Sequence, residues 1–340
     1  MRVGIVGAGA WGTSLANLLA GKGEEVRLWA FEPEVAEEIG RSRTNATYLP
    51  GIEVHQRILA SAELKEVVVG AQVVVMVTPS HVLRAVAESL APFAAQEAVF
   101  VSATKGIEAS SLKTMTGVLA EVLGSGQPNR IRERLAVLSG PSFAREVAVG
   151  TPTAVTAAAF HPATARLVQK LFWSERFRVY TSADVLGVEL GGALKNVMAI
   201  AAGICQGLNL GHNALAALIT RGLAEMTRLG VRLGAEALTF LGLAGVGDLV
   251  LTCTSAQSRN YTLGFKLGQG RKMEEILSGT KAIAEGVRTT KSAWLLAERH
   301  QVEMPICQQV YAILYQGADP KLSLAKLMGR DPKLERWGLE

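Results

Sequence analysis

Val3-Gly4-Ile5-Val6-Gly7-Ala8-Gly9-Ala10-Trp11-Gly12 sets an apolar run with no polar alternation against a Gly-x-Gly-x-x-Gly pattern, and a helical pattern over residues 11–20 follows at once. A β-branched run of this kind is what a strand covered on both faces looks like. Between a buried strand and a helix the glycines take separate meanings. Gly7 permits the tight turn, Gly9 lets a pyrophosphate approach the backbone, and Gly12 lets helix and strand pack closely. The unpaired N–H groups of the helix start then face the phosphates. The stretch predicts a dinucleotide cradle from Gly7, Gly9, Ala10, Trp11 and Gly12; a plain strand-to-helix turn is the alternative that such glycines also allow.

Further apolar runs fall at 26–29, 73–77, 99–101 and 135–138, with helical patterns between them at 34–39, 81–90 and 112–123. Strand candidates at 154–158 and 177–180 flank a helix at 163–172. This β-α-β order implies a doubly wound parallel sheet. From residue 184 onward the pattern becomes Ala- and Leu-rich with helical periodicity, at 196–204, 214–229, 235–241 and 289–298. The expected fold class is α/β: a Rossmann-type doubly wound sheet over residues 1–183, then an all-helical domain over 184–340 expected to serve substrate binding, and dimerisation too if two-fold dimers, the commonest assembly, are the guide.

Chemistry-bearing residues gather at strand ends and glycine turns. The second strand ends at Phe31-Glu32, and Glu32 lies twenty residues beyond Gly12. An acid there accepts from the adenosine ribose hydroxyls and repels a 2′-phosphate, which leans the cofactor toward NAD over NADP. Glu32 also reads as the first-turn acid of the next helix. Lys105-Gly106 follows the run at 99–101, and Ser139-Gly140-Pro141-Ser142-Phe143-Ala144 follows the run at 135–138, both where ligands bind in open α/β sheets. A solvated turn lysine and a simple chain-reversing loop are the plain alternatives. Lys195-Asn196 stands in a small-residue, apolar helix, where a charge needs a partner or a task. Asp248 lies in a glycine-rich segment, and Ser258-Arg259-Asn260 suits a cluster of phosphate oxygens.

The 340 residues are 49% hydrophobic and 19% charged, enough to bury a large core and to exclude a disordered or fibrous chain. A net charge of +5 from scattered residues gives no nucleic-acid footprint. Three distant cysteines and no CxxC pair predict a reducing compartment, and the start of the chain carries no signal-peptide pattern, so a cytoplasmic location is expected. Residues 197–220 are apolar but broken by Gln206, Asn209, His212 and Asn213, which predicts buried helix and no integral membrane segment. His55, His81, His161, His212 and His300 show no ligand spacing, so no metal is expected.

Taken together, the Gly7 loop, Ser102-Ala103-Thr104-Lys105-Gly106-Ile107-Glu108, Ser139 to Ala144, Lys195-Asn196-Val197, Gly245-Val246-Gly247-Asp248-Leu249, Ser258-Arg259-Asn260 and Ala284-Glu285-Gly286-Val287 resemble the bacterial NAD(P)-dependent glycerol-3-phosphate dehydrogenases, in that family's order over nearly the whole chain. The resemblance implies reversible reduction of dihydroxyacetone phosphate to sn-glycerol 3-phosphate with NAD(H) or NADP(H), in a homodimer that feeds glycerophospholipid synthesis. By position it makes Lys195 the general acid and base, with Lys105 and Asp248 lining the same site. Gly140, Ser142, Asn196, Ser258, Arg259 and Asn260 match substrate contacts. Lys105, Ala144, Arg259, Ala284 and Glu285 match cofactor contacts beside the Gly7 loop and Phe31-Glu32. The family often has a basic or other polar residue where this chain has Phe31-Glu32. A related two-domain dehydrogenase for another hydroxy acid or sugar phosphate is the alternative reading.

Overall fold

The strands are β1 (Arg2–Val6), β2 (Glu25–Trp29), β3 (Ile58–Ser61), β4 (Val73–Met76), β5 (Val99–Ser102), β6 (Leu135–Ser139), β7 (Thr153–Ala159) and β8 (Phe177–Ser182). In the computed structural model, which describes residues 1–124, 128–278, 284–332 and 334–335, they form one sheet in the order β3-β2-β1-β4-β5-β6-β7-β8. All neighbours are parallel except β6 and β7. The expected parallel sheet is therefore mostly parallel, with one antiparallel pairing. β3, with the sequence Ile58-Leu59-Ala60-Ser61, is a strand that the apolar pattern did not reveal. It is an edge strand of four residues with only its first fully buried, so it lacks the continuous apolar signature.

Side-chain alternation divides the sheet's packing between two faces. Val73 and Val75 join Val3, Ile5, Leu15 and Leu28 in one core, whereas Val74 and Met76 join Val6, Phe100 and Leu119 in the other. Helices Ala10–Gly21, Pro33–Ser42 and Pro162–Phe172 cover the first face; Leu64–Val68, Leu83–Leu90 and Met115–Leu123 cover the second. Strand order reverses direction between β1 and β4, and the Gly7 loop leaves β1 there, at the crevice where doubly wound sheets take their ligands.

Contacts divide the chain into two units, Met1–Lys105 with Met115–Val185, and Gly106–Thr114 with Leu186–Glu340. The short segment Gly106–Thr114 leaves the sheet unit and belongs to the helical one, an excursion absent from the linear division at residue 184. Ile107 is buried in the helical core, and its carbonyl accepts from Ser292 Oγ at 3.2 Å.

Every described element of the second unit after residue 185 is helical. Its axis is Val185–Gly207, where Val197, Met198, Ala199 and Ile200 are fully buried. By length and composition this helix could cross a membrane, but 94% of its most apolar window is enclosed by protein. The chain turns at Asn209, in the left-handed region that Asn tolerates, and Gly211–Arg232 begins. A second apolar stretch, Ala237–Thr254, is 39% buried by the same measure. The axial helix packs backbone to backbone on Arg259–Gly268: a Cβ on Gly203 would lie 2.0 Å from the Tyr261 carbonyl oxygen, and one on Gly264 2.0 Å from that of Ile200. This crossing fixes Asn196 near Asn260.

Candidate functional site

The predicted site residues fall into two groups, one in each unit. In the sheet unit, Gly7 has φ +124°, and a Cβ there would lie 2.8 Å from the Val77 carbonyl oxygen. A Cβ on Gly12 would stand 1.8 Å from the Gly7 carbonyl oxygen, so only glycine fits between turn and helix. At Gly9 no atom of the described residues lies within 4 Å of the corresponding position. Gly9 is also the N-cap of Ala10–Gly21 and brings no side chain to the helix start. The first helical bond there runs from Thr13 N to Gly9 O, so the N–H groups of Ala10, Trp11 and Gly12 precede the bonded ladder. Two shielded polar atoms, Trp11 Nε1 at the start of helix Ala10–Gly21 and Thr78 Oγ1 just after β4, and a third at the end of β6, Ser139 Oγ, have no hydrogen-bond partner among the described residues. An open backbone cradle flanked by such donors fits a pyrophosphate and its attached groups.

At the end of β2, Phe31 is 76% exposed and meets Trp29 edge to face, ring centroids 6.1 Å apart. Glu32 precedes helix Pro33–Ser42, but its carboxylate does not cap it. Instead Glu32 Oε1 accepts the Tyr48 hydroxyl at 2.6 Å. That bond, with burial and the carboxylate charge behind it, pushes the Tyr48 phenol up to about 12.

Parallel pairing of β5 with β6 brings the next part together, because their carboxyl ends lie side by side. The Gly140 carbonyl accepts from Lys105 Nζ at 3.2 Å and from Ser142 Oγ at 2.9 Å. Ala144 opens a short helix, and its carbonyl accepts from Ser14 Oγ at 2.7 Å, which ties it to the helix behind the glycine loop.

In the helical unit Lys195 Nζ donates to Asp248 Oδ1 at 2.5 Å and to Thr252 Oγ1 at 2.8 Å. The lysine and aspartate side chains are 8% and 1% exposed. Thr252 gives its own proton to the Asp248 carbonyl at 2.6 Å, so towards Lys195 it can only accept. Asp248 and Thr252 share one face of helix Asp248–Thr254, four residues apart. Burial pushes the neighbouring Cys253 thiol up to about 12, with the Lys195 charge opposing, so it stands as a protonated thiol.

Asn196 and Asn260 form a relay with determined polarity. The Gly286 N–H donates to Asn260 Oδ1 at 2.9 Å, and a backbone N–H cannot accept. The Asn260 amide nitrogen therefore faces Asn196 and donates to its Oδ1 at 2.9 Å. Asn196 is left with its amide N–H groups as donors to other partners. One N–H of the Asn260 amide remains beyond this relay, and the Asn260 backbone N–H lies in the first turn of Arg259–Gly268. Ser258 Oγ caps that helix through the Tyr261 N–H, with the exposed Arg259 at the first helical position. Ala284 is the N-cap of Glu285–His300, and Glu285 is its first-turn acid.

Sequence reasoning missed Thr252, whose signal was the four-residue spacing from Asp248. It also missed Asn45 and Tyr48, in the polar turn Asn45-Ala46-Thr47-Tyr48-Leu49-Pro50-Gly51, and Ser14, two residues after the last glycine of the loop.

A dinucleotide-type cradle at the switch point of a doubly wound sheet, followed by a helical unit with a buried lysine–aspartate pair, defines a class: the two-domain dehydrogenases of sheet-then-helix order. Models of the N-terminal and C-terminal domains of NAD-dependent glycerol-3-phosphate dehydrogenase match residues 2–165 and 184–325. The chain belongs to that family. It is 54% identical over 336 residues to a glycerol-3-phosphate dehydrogenase (NAD(P)+) of Geobacter sulfurreducens, covering 99% of each chain. Among solved structures, a glycerol-3-phosphate dehydrogenase of Coxiella burnetii is 39% identical at a TM-score of 0.91, with 96% of this chain and 98% of that one covered. The enzyme of Saccharomyces cerevisiae is 28% identical at a TM-score of 0.82, with 97% and 99% covered.

Proposed function

We propose that this protein catalyses the reversible NAD(P)H-dependent reduction of dihydroxyacetone phosphate to sn-glycerol 3-phosphate, with Lys195 as the general acid. The observation that carries the assignment of the acid is the buried Lys195–Asp248–Thr252 cluster. When bound, the reduced nicotinamide would supply the hydride for the carbonyl carbon. Lys195 Nζ gives a proton to the carbonyl oxygen as negative charge builds on it, leaving a neutral amine that regains a proton from solvent. Asp248 and Thr252 hold Nζ in place throughout, and the oxidation direction reverses the transfer at Nζ. The phosphate does not react, so its binding energy orients the reacting end.

Arg259 and the first-turn N–H groups of its helix anchor that phosphate, and Lys105, Gly140, Ser142, Ser258 and the Asn196 amide complete the substrate contacts. The dinucleotide is held by Gly7, Gly9, Ala10, Trp11 and Gly12, with Phe31 against the adenine and Glu32 on the ribose hydroxyls. Lys105, Ala144, Arg259, Ala284 and Glu285 contribute at the cofactor's other end. The open space at Gly9 and the narrow fit at Gly12 support the first of these sets. Glu32 favours NAD(H) over NADP(H), because a fixed carboxylate repels a 2′-phosphate. Residues 1–183 carry most of the cofactor contacts, and residues 184–340 carry the acid, the phosphate anchor and the dimer contacts. The enzyme works in the cytoplasm as a homodimer and supplies glycerol 3-phosphate to phospholipid synthesis; three free, buried cysteines suit a reducing compartment, and two-fold dimers are the commonest assembly.

The test mixes the purified protein with dihydroxyacetone phosphate and either NADH or NADPH and follows loss of absorbance from the reduced nicotinamide. Rapid loss that depends on the ketose phosphate is expected. Cofactor binding with no turnover on this substrate, but turnover on another carbonyl compound, would move the protein to a related dehydrogenase.

A further inference from the structure

The turn that carries Asn45 and Tyr48 has no place in the reaction as described, yet its side chains reach both parts of the dinucleotide-type site within the sheet unit. Asn45 is fully buried. Its amide nitrogen donates to the Ala8 carbonyl at 2.8 Å and to Thr13 Oγ1 at 2.9 Å, so it grips the glycine loop and the helix that follows. Its amide oxygen accepts the Tyr48 N–H at 3.2 Å, and its backbone carbonyl accepts the Leu49 N–H at 2.8 Å. Glu38 fastens the same turn from helix Pro33–Ser42, accepting from Thr44 Oγ1 at 2.7 Å and from the Ala46 N–H at 2.8 Å. Tyr48, held at its backbone, packs its ring on the core that includes Leu15 and Leu28 and gives its hydroxyl to Glu32 Oε1.

We propose that Tyr48 is a specificity-determining positioning residue: by holding Glu32 Oε1 it fixes the carboxylate at the end of β2, leaves Oε2 as the ribose acceptor, and thereby enforces NADH over NADPH. This rests on the reading of Glu32 as the ribose partner. A glutamate side chain that is not fully buried otherwise samples several rotamers, and ordering it opposes binding. Here the ordering is complete before a cofactor arrives. The same restraint prevents Glu32 from swinging into solvent to make room for a 2′-phosphate. The phenol stands well above neutrality, so it remains a donor across the working range and never adds a charge of its own. Asn45 sets the distance between this acceptor and the phosphate cradle, since one buried amide holds the glycine loop and the turn bearing Tyr48.

The experiment measures kcat/KM for NADH and for NADPH, at saturating dihydroxyacetone phosphate, in the wild-type enzyme, Tyr48→Phe, Glu32→Ser and the double variant. Removing a hydrogen bond to a charged group is expected to move the NADH/NADPH ratio toward NADPH by about fivefold in Tyr48→Phe. The change lies in the KM values rather than in kcat. Glu32→Ser shifts the ratio further in the same direction, and adding Tyr48→Phe to it changes the ratio no more, because Tyr48 acts through Glu32 alone. An unchanged ratio in Tyr48→Phe, or the same shift with and without Glu32, overturns the proposal. A wild-type ratio in Glu32→Ser overturns the reading of Glu32 itself, and the proposal with it.

Discussion

Removing the Asp248 carboxylate strands the Lys195 ammonium in a place with almost no water. The two side chains are 8% and 1% exposed, and Nζ loses its bond to Asp248 Oδ1 while keeping the one to the Thr252 hydroxyl. A buried pair broken on one side loses about 3–5 kcal/mol, because the remaining charge keeps its desolvation cost without its counterion. Asp248→Ala is therefore expected to lower the stability of the helical unit by about 4 kcal/mol. For a unit of this size the midpoint of thermal unfolding falls by about 10 °C. The decisive comparison adds Lys195→Met to Asp248→Ala. With the charge gone, the double variant should regain more than half of the lost stability, although both proteins are inactive. Trp294, packed on the core of the helical unit, makes its fluorescence a suitable signal for urea and thermal melts. A midpoint for Asp248→Ala within about 2 °C of wild type would place the pair among weak, solvated ion pairs. A double variant no more stable than Asp248→Ala would show that the stranded charge is not the cause of the loss.

Three further outcomes are expected. Gly12→Ala forces a methyl against the Gly7 carbonyl, where a Cβ would stand at 1.8 Å, so NADH affinity by fluorescence titration should fall at least tenfold; wild-type affinity would remove Gly12 from the cradle. Arg259→Ala should weaken use of dihydroxyacetone phosphate strongly while leaving slow reduction of unphosphorylated dihydroxyacetone nearly unchanged, and an equal loss on both substrates would refute the anchor role. Burial raises the Glu225 carboxyl from its ordinary 4.5 to about 7, against the Ile306 and Cys307 N–H groups and the charges of Arg228 and Arg330. The folded protein then binds this proton more tightly than the unfolded chain does, so this group's contribution to stability falls as pH rises from about 4.5 to about 7. Glu225→Gln should gain on wild type by on the order of 3 kcal/mol in urea melts between those limits, and a pH-independent difference would contradict the assignment.

How far the sequence could be read depended on whether the signal was local. β1 and the glycines after it were legible because strand, turn and helix start lie within residues 2–12. The central strands were legible because both faces are covered and polar residues are excluded from them. β3 escaped because an edge strand with one fully buried residue has no such run. The excursion Gly106–Thr114 was invisible for a different reason: Ile107 is one apolar residue among many until Ser292, 185 positions away, binds its carbonyl. The lysine in an apolar helix announced that it needed a partner, and Asp248 was singled out, but only the fold could show that they meet. Thr252 needed one further step, the helical spacing from Asp248. The roles of Asn260 and Tyr48 depend on donor and acceptor polarity across non-local contacts, which no periodicity encodes.

The most direct test of the account compares wild type with Lys195→Ala, following oxidation of NADH by dihydroxyacetone phosphate beside NADH affinity measured by fluorescence. Loss of a positioned proton donor should cut kcat by about 10²–10⁴, with the dissociation constant for NADH nearly unchanged. Turnover in Lys195→Ala equal to wild type would contradict the assignment of the acid and with it the mechanism.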